Sequence, residues 1–349
     1  MARIVAGLSG GVDSAVAAGL LKAAGHEVIG VTLRTWASGS SRCCEIDAAR
    51  ETARRLGIHY HIINCVSGFE NEVKAPFLSD RLRGVTPNPC VACNRAVKWK
   101  WLLYAADLFQ ADAVASGHYA SVVRTESGRC AVQAGADRKK DQSYMLCRLT
   151  QAQLQRTILP LGAYTKREVR AIASSLRLPS AEIPDSQELC FITDGHYADY
   201  LAAHTAALPE RGDFVDENGA VLGAHGGIHR YTIGQRRGLG IASAGRLYVN
   251  RICAETNTVV LGDAASLLRR EIRCGAVEWM GMAPPEPGEA LYVRIQIRAH
   301  HTPAEGTVFC ERPGAVRIRF DGPVRAPAPG QYAVLYDEHS RILGSGIME

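Results

Sequence analysis

The chain has 349 residues, enough for one large domain and one or two small ones, and 47% apolar with 21% charged residues is ordinary composition for a packed core. No stretch approaches the roughly 18 apolar residues that a bilayer-spanning helix needs, and the opening MARIVAGLSGG runs straight into a strand-like segment, so a soluble cytoplasmic protein with no membrane partner is expected. A net charge of +5 suits a nucleic-acid partner without requiring one, and 11 cysteines in such a chain speak for thiol chemistry, metal binding or small core residues rather than a disulfide framework.

In chain order, Ile4–Leu8 reads as a buried strand, Ser14–Ala24 as a helix and Val28–Leu33 as a second strand. Ile46–Leu56 reads as a helix closed by Gly57, His59–Asn64 as a strand, Arg95–Phe109 as a helix and Ala113–Ser116 as a short strand. Such alternation predicts βαβ units and an α/β fold with a doubly wound, mostly parallel sheet. Thr165 to Glu168, T-K-R-E, has capping-box spacing and starts a helix running to about Leu176. After about Leu208 turn signals crowd in at Glu217-Asn218-Gly219, Gly226-Gly227 and Glu255-Thr256-Asn257, and from Ala290 strand-like alternation dominates. The expected organisation is a catalytic domain over 1–208, a β-rich central domain over 209–282 and a C-terminal β-barrel over 283–349, with Pro-rich Ala283–Gly288 as a linker.

The strongest chemical signal is Gly7-Leu8-Ser9-Gly10-Gly11-Val12-Asp13-Ser14, set between the first strand and the first helix. Glycines bring backbone N–H groups against phosphate oxygens, and the helix N-terminus adds partial positive charge. Neither the Walker pattern G-x-x-x-x-G-K-[ST] nor the dinucleotide pattern G-x-G-x-x-G is present. S-G-G-x-D-S resembles the pyrophosphatase loop of the ATP-pyrophosphatase superfamily, whose members make adenylates and release pyrophosphate.

A second signal is Thr86-Pro87-Asn88-Pro89-Cys90-Val91-Ala92-Cys93-Asn94, where C-x-x-C precedes a helix expected near Arg95. A thiol at a helix N-terminus with Arg95 and Lys98 nearby is expected to have a lowered pKa. On spacing alone the pair is equally half a zinc site or a redox pair. A third signal is Asp185-Ser186-Gln187-Glu188-Leu189-Cys190, whose polar approach weakens the reading of Cys190 as a core residue. Cys65, Cys130, Cys147, Cys253, Cys274 and Cys310 sit among apolar neighbours and read mostly as core. Ser116-Gly117-His118-Tyr119 lies at a strand end, where ligands of open parallel sheets collect, although His118 is as readily structural. Lys139-Lys140-Asp141-Gln142 is either a solvated turn or an RNA contact, and Ile233-Gly234-Gln235-Arg236-Arg237-Gly238-Leu239-Gly240 is a basic glycine-rich loop suited to phosphate contacts or a tight turn.

Taken in order, SGGVDS, TPNP-x-x-x-CN, GHY, KDQSY, DSQ-x-x-CFI and IGQR-x-GLG resemble the bacterial tRNA-specific 2-thiouridylase family over nearly the whole chain. The resemblance implies an adenine-nucleotide α-hydrolase-like domain, a central β-rich domain and a C-terminal barrel. It implies that ATP with Mg2+ adenylates the 2-carbonyl of the wobble uridine in tRNAs for Glu, Gln and Lys, and that a cysteine persulfide then delivers sulfur. By motif position Cys93 would be the nucleophile and Cys190 the persulfide carrier. Gly7 through Ser14, Leu33 and Gly117 would surround ATP, Asn88, Pro89 and Cys90 would face the base, and Lys140, Asp141, Gln142, Arg298 and Ala299 would meet tRNA. An upstream cysteine desulfurase or sulfur-relay protein would be a partner.

This sequence departs from the family pattern in three places. Cys90 stands where many members have Asp, Cys43-Cys44 is extra, and Arg298-Ala299 lacks the usual aromatic. Cys90, Cys93 and Cys190 would supply three thiolates for an iron–sulfur cluster or, with Cys43 and Cys44, for zinc, against a metal-free persulfide relay. Two rival readings remain: a superfamily relative ligating or amidating a small metabolite, which leaves Cys93 and Cys190 without a role, and a nonenzymatic RNA-binding or sulfur-carrier protein, against which Ser9, Asp13 and Ser14 stand intact.

Overall fold

The computed structural model describes residues 1–36, 43–182, 189–192, 197–205 and 207–349. Its first half supplies β1 (Arg3–Gly7), β2 (Glu27–Arg34), β3 (His59–Asn64), β4 (Ala113–Ala115), a hairpin of β5 (Ala120–Arg124) and β6 (Cys130–Ala134), and β7 (Thr157–Ile158). Five of these form an all-parallel sheet in the order β3-β2-β1-β4-β7. The chain runs outward from β1 to β3 and then returns to the other side of β1, so the strand order reverses between β1 and β4. Loops leaving the carboxyl ends of those two strands flank the crevice where such sheets bind ligands.

Both faces of this sheet are covered, which is why its strands read as continuous apolar runs. Ile4 and Ala6 point into a cluster with Val16, Ala17, Ala49 and Val169. Val5, between them, points the other way, into a cluster with Trp99, Leu102 and Ala105. The helices of this half are α1 (Val12–Ala23), α2 (Cys43–Leu56), α3 (Ala75–Leu82), α4 (Pro89–Cys93), α5 (Lys100–Leu108) and α6 (Lys166–Ser175). Thr165 caps α6 in a complete capping box with Glu168, as its spacing predicts. The helix expected at Arg95 begins six residues earlier, because Asn88 caps it and Pro89 fills its first position, where no N–H is needed. A π-helical turn, Asn94–Trp99, joins α4 to α5.

The central domain is a four-stranded sheet ordered β10-β11-β8-β9, from β8 (Gly212–Val215), β9 (Val221–His225), β10 (Tyr248–Cys253) and β11 (Thr258–Gly262). Phe214, Val249, Val259 and Leu261 form its core. The C-terminal strands are β12 (Leu268–Trp279), β13 (Ala290–Gln296), β14 (Ala304–Arg312), β15 (Ala315–Arg325), β16 (Tyr332–Tyr336) and β17 (Ile342–Met348), closed as β12-β15-β14-β13-β16-β17. The barrel therefore starts at 268 and not at 283, and Ala283–Gly288 connects two of its strands rather than two domains. Register shifts at Arg269/Glu271 and Gly275/Glu278 break the alternation of β12, which is why it does not read as a clean strand.

The barrel shares a core with the parallel sheet: Met280, Val334, Tyr336 and Ile342 pack in the same cluster as Val5 and Trp99. Glu278 of β12 takes Arg95 on both carboxylate oxygens at 2.7 Å and Arg148 at 2.8 Å. Buried Arg81 of α3 donates to the carbonyls of His229 and Tyr231 in the central domain. No helix among the described residues is long and apolar enough to cross a membrane.

Candidate active site

The Gly7–Ser14 loop leaves β1 and turns into α1, whose N-cap Gly11 has no side chain to obstruct an approaching ligand. Ser14 ties the loop together: its hydroxyl donates to the Gly11 carbonyl at 2.9 Å, accepts the Ser9 N–H at 3.1 Å and lies 3.2 Å from the Ser9 hydroxyl. Gly10 has φ +83°, and a β-carbon there would meet the Glu45 carbonyl oxygen at 2.6 Å. Leu8 is anchored to β2 through its N–H on Val31 and its carbonyl on the Thr32 hydroxyl. Val12 is buried beneath the helix start.

Asp13 occupies the first turn of α1, with both carboxylate oxygens held by Lys166 at 2.7 and 2.8 Å and one also accepting the Tyr119 hydroxyl at 2.7 Å. Neither partner was singled out for this from the sequence. Lys166 merely follows the Thr165 cap, and Tyr119 is only the last letter of GHY. Gly117 lies against the loop so closely that a β-carbon would come within 2.6 Å of the Asp13 carbonyl carbon and the Ser14 nitrogen. The motifs after β1 and β4 are thus in backbone contact across the crevice. His118 hydrogen-bonds Ser116 at 2.8 Å and packs on Trp99, and burial holds its pKa well below the usual histidine range. It stands there as a neutral imidazole.

The thiols gather near the end of β2. Leu33, near the end of β2, packs both on the sheet core and on a cluster of Cys65, Phe69, Val73, Cys93 and Val97. Phe191, next to exposed Cys190, packs on the same cluster and makes edge contacts with Phe69 and Phe77. Charge on Cys190 would raise the pKa of both Cys90 and Cys93, so the three thiols stand within electrostatic reach of one another. Cys65 and Cys93 interact in the same way. The sequence placed Cys65 in the core, where it is, but nothing in its neighbourhood HIINCVS announces the contact with Cys93.

The expected lowering of the C-x-x-C pKa is overturned. Burial pushes Cys93 up to about 11, and Lys98 only opposes part of that. Burial raises Cys90 too. Cys93 sits at the end of α4 rather than at a helix start, and Arg95 is turned away onto Glu278. No group of three His, Cys, Asp or Glu among the described residues is placed to hold a metal ion. The side chains of Cys43 and Cys44, and the approach Asp185-Ser186-Gln187-Glu188, lie outside the described residues.

Asn88 uses its side-chain oxygen to cap α4, accepting N–H groups of Cys90 and Val91, and Pro89 is buried as the first helical residue. Asp141 accepts N–H groups from Gly135 and Ser143 and the Ser143 hydroxyl, and Gln142 pairs with the Tyr119 backbone, so this turn buttresses the residue that holds Asp13. A cavity of about 660 Å³ brings Arg138, Lys139 and Asp141 together with Arg294, Ala299 and His301 of the barrel. Arg298, in the same barrel loop as Ala299, donates to the Arg325 carbonyl at 2.7 Å, while Lys140 lies at the turn beside the cavity. Arg236 and Arg237 are exposed in a loop turned by Gly234, Gly238 and Gly240, all with positive φ.

Residues 2–194 match the tRNA methyl transferase HUP domain family, 198–263 the tRNA methyl transferase PRC-barrel domain family and 269–348 the aminomethyltransferase beta-barrel domain family. A tRNA-specific 2-thiouridylase MnmA of Lachnoclostridium phytofermentans is 41% identical over 99% of each chain. One from Syntrophotalea carbinolica is 44% identical over 99% of this chain and 97% of the relative, and one from Chloroflexus aurantiacus 41% identical over 99% and 98%. Family and order of domains agree along the whole length, and the chain belongs to the tRNA-specific 2-thiouridylase MnmA family.

Proposed function

We propose that this protein replaces the 2-oxygen of the wobble uridine of tRNAs for Glu, Gln and Lys with sulfur, using ATP to make an adenylated intermediate. The observation that carries the reading is the placement of the Gly7–Ser14 loop after β1 and of a thiol cluster beside Leu33 at the end of the neighbouring β2, with Cys90 and Cys190 within electrostatic reach of Cys93. ATP phosphates would lie on the N–H groups of Gly7 through Ser14, with Gly117 leaving room across the crevice. Mg2+ would ride on the phosphate oxygens, since Asp13 is already engaged by Lys166 and Tyr119.

A uracil carbonyl oxygen leaves poorly until adenylation converts it to AMP. The terminal sulfur of a Cys190 persulfide would then attack C2, the C2–O bond breaking as AMP departs. Cys93 would attack the Cys190 sulfur of the resulting link, releasing 2-thiouridine and leaving a Cys93–Cys190 disulfide. Exposure of Cys190 suits loading by a cysteine desulfurase or sulfur-relay protein, and burial of Cys93 keeps water and stray electrophiles from the second thiol. Reaching the base requires taking it out of the anticodon stack, at a cost of roughly a few kcal/mol, which Asn88, Pro89, Cys90 and tRNA contacts at the basic cavity lined by Arg138, Lys139 and Arg294 would offset. The reaction belongs in the cytoplasm, where tRNA is.

Incubation with ATP, total tRNA and a persulfide donor, followed by nucleoside mass spectrometry, tests the reading. Wobble 2-thiouridine should appear in step with AMP and pyrophosphate. Adenylation of a small metabolite with no change in tRNA would overturn it.

A further inference from the structure

Cys90 and Cys93 are three residues apart in α4, on one face of one helical turn, where β-carbons lie about 5–6 Å apart, a small closure from disulfide geometry. They differ in access, Cys93 being 7% exposed and Cys90 partly open to solvent. The sulfur transfer described above ends with oxidation stored between Cys93 and Cys190. That disulfide has one sulfur buried, and it occupies the thiol that must accept the next sulfur atom. Phe191 holds the Cys190 segment on the cluster that contains Cys93, directly beside α4.

We propose that Cys90 is a third working thiol, which resolves the Cys93–Cys190 disulfide and moves the oxidation into a Cys90–Cys93 pair. The Cys90 thiolate attacks the Cys93 Sγ, a Cys90–Cys93 bond forms, and the Cys93–Cys190 bond breaks with its electron pair leaving on the Cys190 sulfur. The proton lost by Cys90 ends on Cys190. A dithiol reductant then attacks the more accessible Cys90 Sγ, a slow step because Cys93 is the sulfur expelled and takes up the proton, is itself oxidised to a disulfide, and returns both α4 thiols to the reduced state. Because burial pushes Cys93 up to about 11, it is a poor leaving group, which directs attack so that Cys190 is the sulfur expelled. Cys190 is thereby free for a new persulfide before any outside reductant has acted.

The step's place in a catalytic cycle rests on the function proposed above, but the pairing preference does not. The purified chain would be equilibrated in buffers of oxidised and reduced dithiothreitol, its free thiols alkylated, and its disulfides mapped by peptide mass spectrometry. Cys90–Cys93 should exceed Cys93–Cys190 by about tenfold, and Cys90→Ser should shift the disulfide to Cys93–Cys190. In thiolation assays with persulfide-loaded protein at limiting dithiol, the ratio of steady-turnover rate to first-turnover rate should be about tenfold lower in Cys90→Ser than in the wild type, whatever the substitution does to the first turnover itself. Accumulation of Cys93–Cys190 in the wild-type chain, or an undiminished ratio in Cys90→Ser, would overturn the proposal. If neither protein makes 2-thiouridine, the functional reading fails, while the disulfide map still decides how Cys90 pairs.

Discussion

At the scale of single residues, two side chains differ most from what their motifs promise. Asp13 is the acid of the Gly7–Ser14 loop, yet a lysine and a tyrosine from distant segments hold it. Asp13→Ala should leave the fold intact, since the residue is partly exposed, and lower tRNA-dependent pyrophosphate release by about 100-fold or more. Lys166→Ala should cost less, because Tyr119 still orients the carboxylate. Normal pyrophosphate release in Asp13→Ala would remove the loop from the reaction. Cys93 is the other case. With its thiol pushed up to about 11, the folded chain should show roughly 100-fold less thiolate there than a free cysteine at the same pH, and alkylation should rise about tenfold per pH unit up to that value. A plateau below pH 9 in a time-resolved alkylation experiment would contradict the burial argument.

Among the elements, the contact between the first loop and the β4 loop is the one most open to test. Gly117→Ala would drive a methyl group into the Asp13–Ser14 backbone, so nucleotide-dependent pyrophosphate release should fall by at least tenfold with the circular dichroism spectrum unchanged. Retained activity would mean that the two loops separate freely. The elements themselves were legible where one force dominated. The β1–α1–β2 unit, β3 and the α6 cap follow from apolar runs, glycine and the T-K-R-E spacing. The start of α4 was misread because prolines signal loops as strongly as they signal a first helical turn. β12 was missed because its bulges scramble the alternation that marks a strand. Motif order likewise marks Cys93 and Cys190 as partners, but not the environment of Cys93, which depends on Val73, Val97 and Phe69 arriving from separate segments.

For the whole molecule, Glu278 is the tie most easily cut. It accepts Arg95 from the helical run that carries the C-x-x-C thiols and buried Arg148, from a β-barrel strand. Glu278→Gln should destabilise the protein by about 1–2 kcal/mol, a figure kept low because the carboxylate is 44% exposed. Sheet and barrel should still unfold in one calorimetric transition, since they share one core. Two resolved transitions in the wild-type protein would contradict that continuity.

The shared core also bears on how the protein is made. Ile342 packs in the same cluster as Val5, across almost the whole length of the polypeptide. A nascent chain paused anywhere before β17 leaves the ribosome with its Gly7–Ser14 loop already synthesised but with one side of the β-sheet behind it still missing apolar partners from the barrel. Such a fragment leaves the part of that cluster that Ile342 covers without its last partner and becomes work for chaperones or proteases.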